Sequence, residues 1–107
     1  MMTENYLNPG PTREEIDSTH APLVLEFGTG WCGYCRAADP YISEALKDFA
    51  EVQHIKIEDG PGRRLGRSYG VKLWPTFIFL KNGVELARAV RPESSEEVNI
   101  GLKQICG

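Results

Sequence analysis

Two of the three cysteines in this chain of 107 residues, Cys32 and Cys35, form a C-x-x-C pair. The pair falls where a predicted buried strand passes into a predicted long helix. A thiol at the start of a helix lies near unpaired backbone N–H groups and the positive end of the helix dipole, which favours the thiolate. Cys32 is therefore predicted to be a nucleophile. Cys35 lies one turn further along, shielded by the helix but able to close a disulfide with Cys32, and is predicted to be the resolving thiol.

Half of a zinc site is the alternative interpretation of the cysteine pair. A tetrahedral zinc site needs four ligands, and Cys106, His20 and His54 show no second paired spacing. We therefore expect no metal and no bound cofactor. Gly33, between the two cysteines, would let another chain approach the sulfur, and Trp31 would supply a flat apolar wall beside it.

The elements that must hold this pair alternate between helix and strand along the chain. Capping-box patterns, apolar periodicity and an Asn-Gly turn predict them. They are a short helix at 12–17, a buried strand at 23–27, a long helix from 32 to about 50 that contains Pro40, a strand at 52–57, a short helix around 63–69, strands at 76–80 and 84–90, and a final helix opened by Ser94. This order predicts an α/β fold, in which a central mixed β-sheet with a C-terminal antiparallel hairpin is covered by helices on both faces.

Length and composition set the limits of this fold. The chain can bury one core, and we expect a single domain over residues 12–107 after a loosely ordered N-terminal lead of residues 1–11. Hydrophobic residues make up 41% of the chain and charged residues 25%, as in globular proteins. A net charge of -3 gives no broad positive field, so no nucleic-acid partner is expected. The apolar runs are too short to span a membrane, and no secretory signal pattern is present, so we expect a cytoplasmic location.

Further landmarks around the cysteines resemble the thioredoxin family. Besides WCGYC at 31–35, they are Pro40 within the long helix, YGV at 69–71 leading to WPT at 74–76, and FLKNG at 79–83. The resemblance implies a thioredoxin fold and thiol–disulfide exchange with disulfide-bearing protein substrates. It also implies that Pro75 is a cis-proline facing the cysteines. A separate flavoprotein reductase that uses a nicotinamide cofactor would return the oxidised pair to the dithiol.

Glu26 is the one charged residue of the predicted strand 23–27, where burial of an ionised carboxylate is costly. The thioredoxin family usually has an aspartate at the matching position, which moves a proton to and from the buried cysteine. The resemblance therefore implies that Glu26 is a longer substitute in the same role. Two alternatives stay open at this point: pairing of the carboxylate with Lys56, or a side chain that points to the surface.

Two departures from the family pattern lie beside the cysteines. Tyr34 replaces the usual proline, and unlike proline it keeps a backbone N–H that can point at the Cys32 sulfur. Gly28 stands where a bulky aromatic residue is often found.

Two more departures lie in the predicted substrate groove, which also contains Pro75 and Thr76. Trp74 stands where a smaller β-branched residue is common, and Arg91 stands at what resembles a family glycine. Both are expected to narrow the range of protein partners. The alternatives are that Trp74 caps the core and that Arg91 is a solvated charge on an edge strand.

The sequence thus predicts a monomeric protein-disulfide reductase that cycles between the Cys32–Cys35 dithiol and disulfide. Cys32 attacks the substrate disulfide, and Cys35, deprotonated with help from Glu26, displaces the reduced substrate. One alternative is a thiol oxidant or isomerase, which Tyr34 favours. The other is a non-catalytic, partner-binding subunit of the same fold.

Three smaller features have structural interpretations. The arginines at 63, 64 and 67 form a local basic patch, which is predicted to be a solvated face. Cys106 is predicted to pack as a small hydrophobic residue near the end of the last helix. His54 is predicted to lie on the surface of its strand, with a charge-tuning role near the site as the alternative.

Overall fold

A computed structural model describes residues 5–106 of the chain. Its elements, in chain order, are α1 (Arg13–Asp17), β1 (Leu23–Gly28), α2 (Gly33–Leu46), β2 (Gln53–Glu58), α3 (Arg64–Ser68), β3 (Thr76–Lys81), β4 (Val84–Val90) and α4 (Ser95–Ile105). Every predicted helix and strand is present in the predicted order, which confirms the fold class. Within residues 5–106, no helix has the length and apolar character needed to cross a membrane.

The four strands form one mixed sheet in the order β2-β1-β3-β4. The central strand β1 is parallel to β2 and antiparallel to β3, and β3 and β4 form the predicted antiparallel hairpin. Because β1 has a neighbour on each side and helices on both faces, all six of its residues are buried. Its carboxyl end leads directly to the cysteines.

Each face of the sheet packs against its own apolar cluster, because alternate residues of a strand point to opposite faces. Val24 belongs to the α2–α4 cluster, formed mainly with Ala38, Ile42, Ala45, Val98, Leu102 and Ile105. Leu25 belongs to the α1–α3 cluster, formed with Ile16 of α1 and Leu65 of α3. Glu26 follows the alternation of Val24 and so lies on the face that α2 covers.

Local signals in the sequence determine several element ends. Thr12 and Glu15 form a complete capping box at the start of α1. The turn between β3 and β4 has positive φ at both Asn82 and Gly83, as the Asn-Gly pattern predicts. Position 83 also requires glycine for a steric reason, because a Cβ there would lie 2.2 Å from the Asp17 carbonyl oxygen.

The α2 helix ends at Leu46, before its predicted end near residue 50. Its last turn tightens, because the N–H groups of Lys47, Asp48 and Phe49 bond to carbonyls three residues back. Phe49 still packs against the α2–α4 cluster. Phe49 therefore keeps the apolar spacing of α2 although it lies beyond the end of the α-helix.

The prediction of a loosely ordered lead is wrong for the segment 5–11, and residues 1–4 lie outside the described part of the chain. Leu7 forms a parallel bridge with Ile57 on β2. The Leu7 N–H donates to the Lys56 carbonyl, and its own carbonyl accepts from the Glu58 N–H, both at 2.9 Å. The edge of β2 has backbone groups that need partners, and this segment supplies them. Proline and glycine content alone did not reveal that pairing.

Leu102 and Ile100 on α4 test the packing of that helix against the sheet. Leu102 is fully buried, whereas Ile100 is 63% exposed. Leu102→Ala is expected to lower the free energy of unfolding by about 2–5 kcal/mol, because it removes buried methyl groups and leaves a cavity. Ile100→Ala is expected to change it by less than about 0.5 kcal/mol. Denaturant melts of both variants measure the difference, and equal losses would contradict this packing.

Candidate active site

The two cysteines lie at the junction between β1 and α2. Strand β1 ends at Gly28, residues 29–31 form the connection, and α2 begins at Gly33 with Cys32 as its N-cap. The pair therefore sits at the carboxyl end of the central strand and at the N-terminal end of a 14-residue helix, where the sequence predicted it.

Cys32 presents its sulfur to the first turn of α2. Its Sγ accepts a hydrogen bond from the backbone N–H of Cys35 at 3.3 Å. The sequence had suggested the N–H of Tyr34 as the donor. The donor is Cys35 instead, because an N-cap residue with an extended backbone places its side chain over the third residue of the helix. Cys32 remains 8% exposed at the surface.

Cys35 is shielded from solvent, with 1% of its surface exposed. Burial and, second to it, the hydrogen bond with Cys32 raise the pKa of its thiol to about 12. Hydrogen bonds that the Thr29 backbone and the Tyr6 side chain can offer to the thiolate form offset part of this rise in the pKa of Cys35. The thiol is therefore protonated near neutral pH, and it must lose a proton before it can act as a nucleophile.

The Glu26 carboxylate is fully buried and meets two side chains. The Tyr6 hydroxyl donates to Oε2 at 2.5 Å, and Nε2 of His54 lies 2.8 Å from Oε1. The surface alternative for Glu26 is thereby excluded. Lys56 is the register partner of Glu26 in the β1–β2 pair. The Lys56 Nζ lies 3.5 Å from Asp39 Oδ1 and 4.5 Å from the centre of the Tyr6 ring.

His54 is buried, with 4% of its surface exposed, and the prediction of a surface position is wrong. Alternation along β2 explains this burial, because residues two apart point to the same face of the sheet. His54 therefore shares a face with Lys56, which is paired with Glu26 on the adjacent strand. Val52 follows the same alternation and packs in the α2–α4 cluster. That alternation was the available sequence signal. Tyr6 was also missed, because it lies in the segment predicted to be loose.

Gly28 makes room for the buried groups around Cys35. A Cβ at this position would lie 2.4 Å from the Cys35 Sγ and 3.2 Å from the Tyr6 hydroxyl oxygen. Any larger residue would have to displace the thiol, the phenol or both. The absence of the family's bulky aromatic residue at this position therefore matches the presence of Tyr6 in this site.

A cavity of about 540 Å³ opens beside the buried thiol. Its walls include Tyr6, Trp31, Cys35, Arg36 and Asp39. The cavity gives solvent one direct approach to the cysteine side of the junction.

Exposed aromatic rings lie beside Cys32. Trp31 and Tyr34 are both largely exposed. Trp31 packs edge-on against Trp74, with ring centres 5.7 Å apart, and the indole N–H of Trp74 donates to Asp59 at 2.9 Å. The Arg91 guanidinium lies 3.9 Å above the centre of the Tyr34 ring. Large rings held in exposed positions are typical of contact surfaces for other proteins.

Pro75 and Arg91 form the neighbouring wall, with Thr76 buried behind them. The Trp74–Pro75 peptide bond is cis, as the resemblance implied. Arg91 has a positive φ of 48°, its backbone N–H donates to the Pro75 carbonyl at 2.9 Å, and its Nε donates to the Trp74 carbonyl at 2.8 Å. Arg91 is therefore bound into this wall, which excludes the alternative of a purely solvated charge.

The smaller features lie away from this junction. Arg63 of the basic patch pairs with Glu58, with 2.6 Å between nitrogen and oxygen. Cys106 packs against the α2–α4 cluster as predicted, and burial raises the pKa of its thiol. In the part of the chain that the structure describes, no group of three or more His, Cys, Asp or Glu side chains could hold a metal ion.

Fold and site together define a thiol–disulfide oxidoreductase, with one thiol at a helix N-cap, a second buried one turn later and a cis-proline nearby. The family model described as thioredoxin matches residues 6–104. This chain belongs to the thioredoxin family. Members of that family are protein-disulfide oxidoreductases, and Cys32 and Cys35 have the C-x-x-C spacing that the chemistry requires.

Individual relatives agree with this assignment. A thioredoxin H-type from Fagopyrum esculentum is 35% identical over 74 residues, which cover 69% of this chain and 64% of that protein. A thioredoxin from Mycoplasma genitalium is 30% identical over 77 residues, which cover 72% of this chain and 76% of that protein. Among solved structures, thioredoxin 2 from Pseudomonas aeruginosa in its reduced form is similar with a TM-score of 0.85 and 50% identity, covering 97% of this chain and 96% of that one. The chain therefore matches slightly under two thirds of the plant protein but nearly all of the bacterial structure.

The raised pKa of Cys35 predicts how stability depends on pH in the reduced protein. An acid with a higher pKa in the folded state contributes stability that is complete below its unfolded value, here near 9.0, and is lost as the pH rises toward about 12. The advantage of wild type over Cys35→Ser in unfolding free energy is therefore expected to fall between about pH 9 and about pH 12. Denaturant melts under reducing conditions measure this difference. A constant difference would contradict the burial of the thiol.

Proposed function

We propose that this chain reduces disulfide bonds of other proteins by cycling between the Cys32–Cys35 dithiol and disulfide. The observation that carries the proposal is the unequal placement of the two thiols. Cys32 keeps 8% of its surface exposed and accepts a backbone N–H, whereas Cys35 is 1% exposed. A thiol that keeps some exposure and has a backbone donor can meet a substrate, and a fully buried thiol can attack only its neighbour. The placement therefore favours a fixed order of two exchange steps.

In the first step, the Cys32 thiolate attacks one sulfur of the substrate disulfide. The substrate S–S bond breaks, and the other substrate sulfur leaves as a thiolate that takes a proton from water. In the second step, Cys35 loses its proton and attacks the Cys32 Sγ. The Cys32–Cys35 bond forms, and the second substrate thiolate leaves. Glu26 is the group that takes up the proton of Cys35, and the sequence of steps needs no metal and no bound cofactor.

The substrate chain is proposed to lie across the exposed aromatic surface beside Cys32. The rings of Trp31 and Tyr34 supply apolar contact, and the space around Gly33 is open. The wall beyond them would hold the substrate backbone near the sulfur. We assign substrate contact to the motif residues Trp31, Gly33 and Tyr34 and to the wall residues Trp74, Pro75, Thr76 and Arg91.

The setting of the reaction is also part of the proposal. The oxidised pair needs two electrons in each cycle, and a separate flavoprotein reductase that draws on a nicotinamide cofactor would supply them. All residues assigned to the site belong to one chain, so a monomer is sufficient. A dithiol that must be regenerated is suited to the cytoplasm, where thiols are kept reduced.

Serine variants of the two cysteines test the proposed roles. Cys32→Ser is expected to abolish the reduction of insulin disulfides, because the nucleophile is gone. Cys35→Ser keeps the nucleophile but lacks the resolving thiol, so it should accumulate mixed disulfides that dithiothreitol releases. Non-reducing electrophoresis measures the capture, with Cys106→Ser as the control expected to behave as wild type. Equal capture by both active-site variants would show that the nucleophile is misassigned, and capture by neither would contradict the exchange reaction.

Arg91 tests the proposed substrate wall. Arg91→Gln removes the guanidinium that holds the Tyr34 ring and the Trp74 carbonyl. A cation–π contact contributes about 0.5–1 kcal/mol, so KM for a protein disulfide is expected to rise about 2-fold to 5-fold with kcat little changed. Arg64→Gln, in the basic patch, is the matched control. A change in kcat without a change in KM would contradict a role in substrate contact.

A further inference from the structure

The second exchange step requires a route for the proton of Cys35. The thiol is buried, and burial keeps its pKa high. Glu26, the proposed acceptor, is buried as well. The group that stands between the thiol and the carboxylate is the hydroxyl of Tyr6.

The geometry around Tyr6 fits a bridge. A phenol has a single O–H, and this one is donated to Glu26 Oε2 at 2.5 Å. The phenol oxygen can therefore only accept from a second neighbour. The space above Gly28 brings that oxygen and the Cys35 sulfur together, because a single added Cβ would crowd both. Burial and the charge of Glu26 raise the pKa of Tyr6 above its ordinary value, so the phenol stays protonated and does not end as a phenolate.

The opposite side of Glu26 continues the chain of contacts. Nε2 of His54 lies 2.8 Å from Oε1, the carboxylate oxygen that Tyr6 does not use. His54 also lines a second cavity, of about 280 Å³, together with Ser43, Lys47, Phe49 and Ala50. Lys47 and Ala50 are exposed, so this cavity reaches the protein surface on the side of the C-terminal end of α2.

We propose that Tyr6, Glu26 and His54 form a proton relay that deprotonates Cys35 during the second exchange step and delivers the proton to the surface near the end of α2. This inference rests on the proposed reduction of disulfides. Tyr6 touches the reacting sulfur and is a catalytic residue. His54 acts through Glu26.

Each proton transfer in the relay has a donor and an acceptor. The S–H proton of Cys35 passes to the Tyr6 oxygen as the phenol O–H proton passes to Glu26 Oε2. The 2.8 Å contact between Oε1 and Nε2 of His54 holds one further proton, which moves onto Nε2 as Oε2 is protonated, so that His54 then carries this proton and a second one on Nδ1. The imidazolium returns one proton to solvent in the second cavity. The Cys35 thiolate meanwhile forms its bond to Cys32, and the substrate sulfur leaves with the electron pair of the broken bond.

A competing route exists, because the cavity of about 540 Å³ also reaches Cys35 and Tyr6. In that route, water takes the proton directly and neither Tyr6 nor His54 is needed. The two routes therefore differ in which side chains the second step requires.

The experiment separates the two exchange steps in one mixing trace. The reduced protein is mixed with one equivalent of an aromatic disulfide whose thiolate product is coloured. The first phase of colour reports the attack by Cys32, and the second phase reports its displacement by Cys35. Tyr6→Phe removes only the hydroxyl. His54→Gln keeps an N–H that can hold Glu26 in place but cannot take up a proton.

Both variants are expected to keep the first phase and to slow the second by about 100-fold, the lower end of the range for general acid–base catalysis. Tyr69→Phe, which removes another buried hydroxyl, and the exposed His20→Gln are the matched controls, and both should keep both phases. Denaturant melts establish that each variant is folded at the assay temperature.

A second phase at the wild-type rate in either variant overturns the relay and favours the direct route through the larger cavity. Equal slowing of both phases would indicate a structural effect and would overturn the relay as well. Failure of the proposed function would look different, since the wild-type protein would then lack the first phase or release no second equivalent of coloured thiolate.

Discussion

The arrangement of this site depends on the burial of one carboxylate, that of Glu26, in the central strand of the sheet. A carboxylate without access to water must find hydrogen-bonding partners inside the protein. The Tyr6 hydroxyl and the His54 imidazole are those partners. Each brings a further constraint: Tyr6 reaches Glu26 from a segment paired along the edge of β2, and His54 must occupy the face of β2 that α2 covers.

The same constraint connects the carboxylate to the thiol chemistry. The strand that buries Glu26 ends at Gly28, where the lack of a side chain lets Cys35 and the Tyr6 hydroxyl come close together. Two residues of a C-x-x-C pair thereby acquire different environments. Cys32 gains a backbone donor at the N-cap, whereas Cys35 gains a raised pKa and a neighbouring phenol. The two thiols are distinguished by their surroundings, not by residue type.

The outer surface of the site is built from the positions at which the chain departs from the common family pattern. Arg91 stacks on Tyr34 and binds the Trp74 carbonyl, and Trp74 in turn packs against Trp31. Substitutions that look independent in the sequence therefore form one connected surface. A protein partner would meet that surface as a unit, so these residues are expected to act on partner choice together and not one by one.

The sequence by itself determined the elements, their order, the cis-proline wall and the position of the two cysteines at the start of α2. Those features depend on neighbours within a few residues, as in the capping box of Thr12 or the Asn82–Gly83 turn, or on motifs that are contiguous along the chain. Only the tertiary structure decided which groups surround Glu26, because Tyr6 and His54 are separated from it by 20 and 28 positions. Alternation along β2 places His54 on one face with Val52 and Lys56, but with helices on both faces of the sheet it does not by itself tell which polar residues are buried. The pairing of Leu7 with the edge of that strand depends on backbone groups that no side-chain pattern reveals.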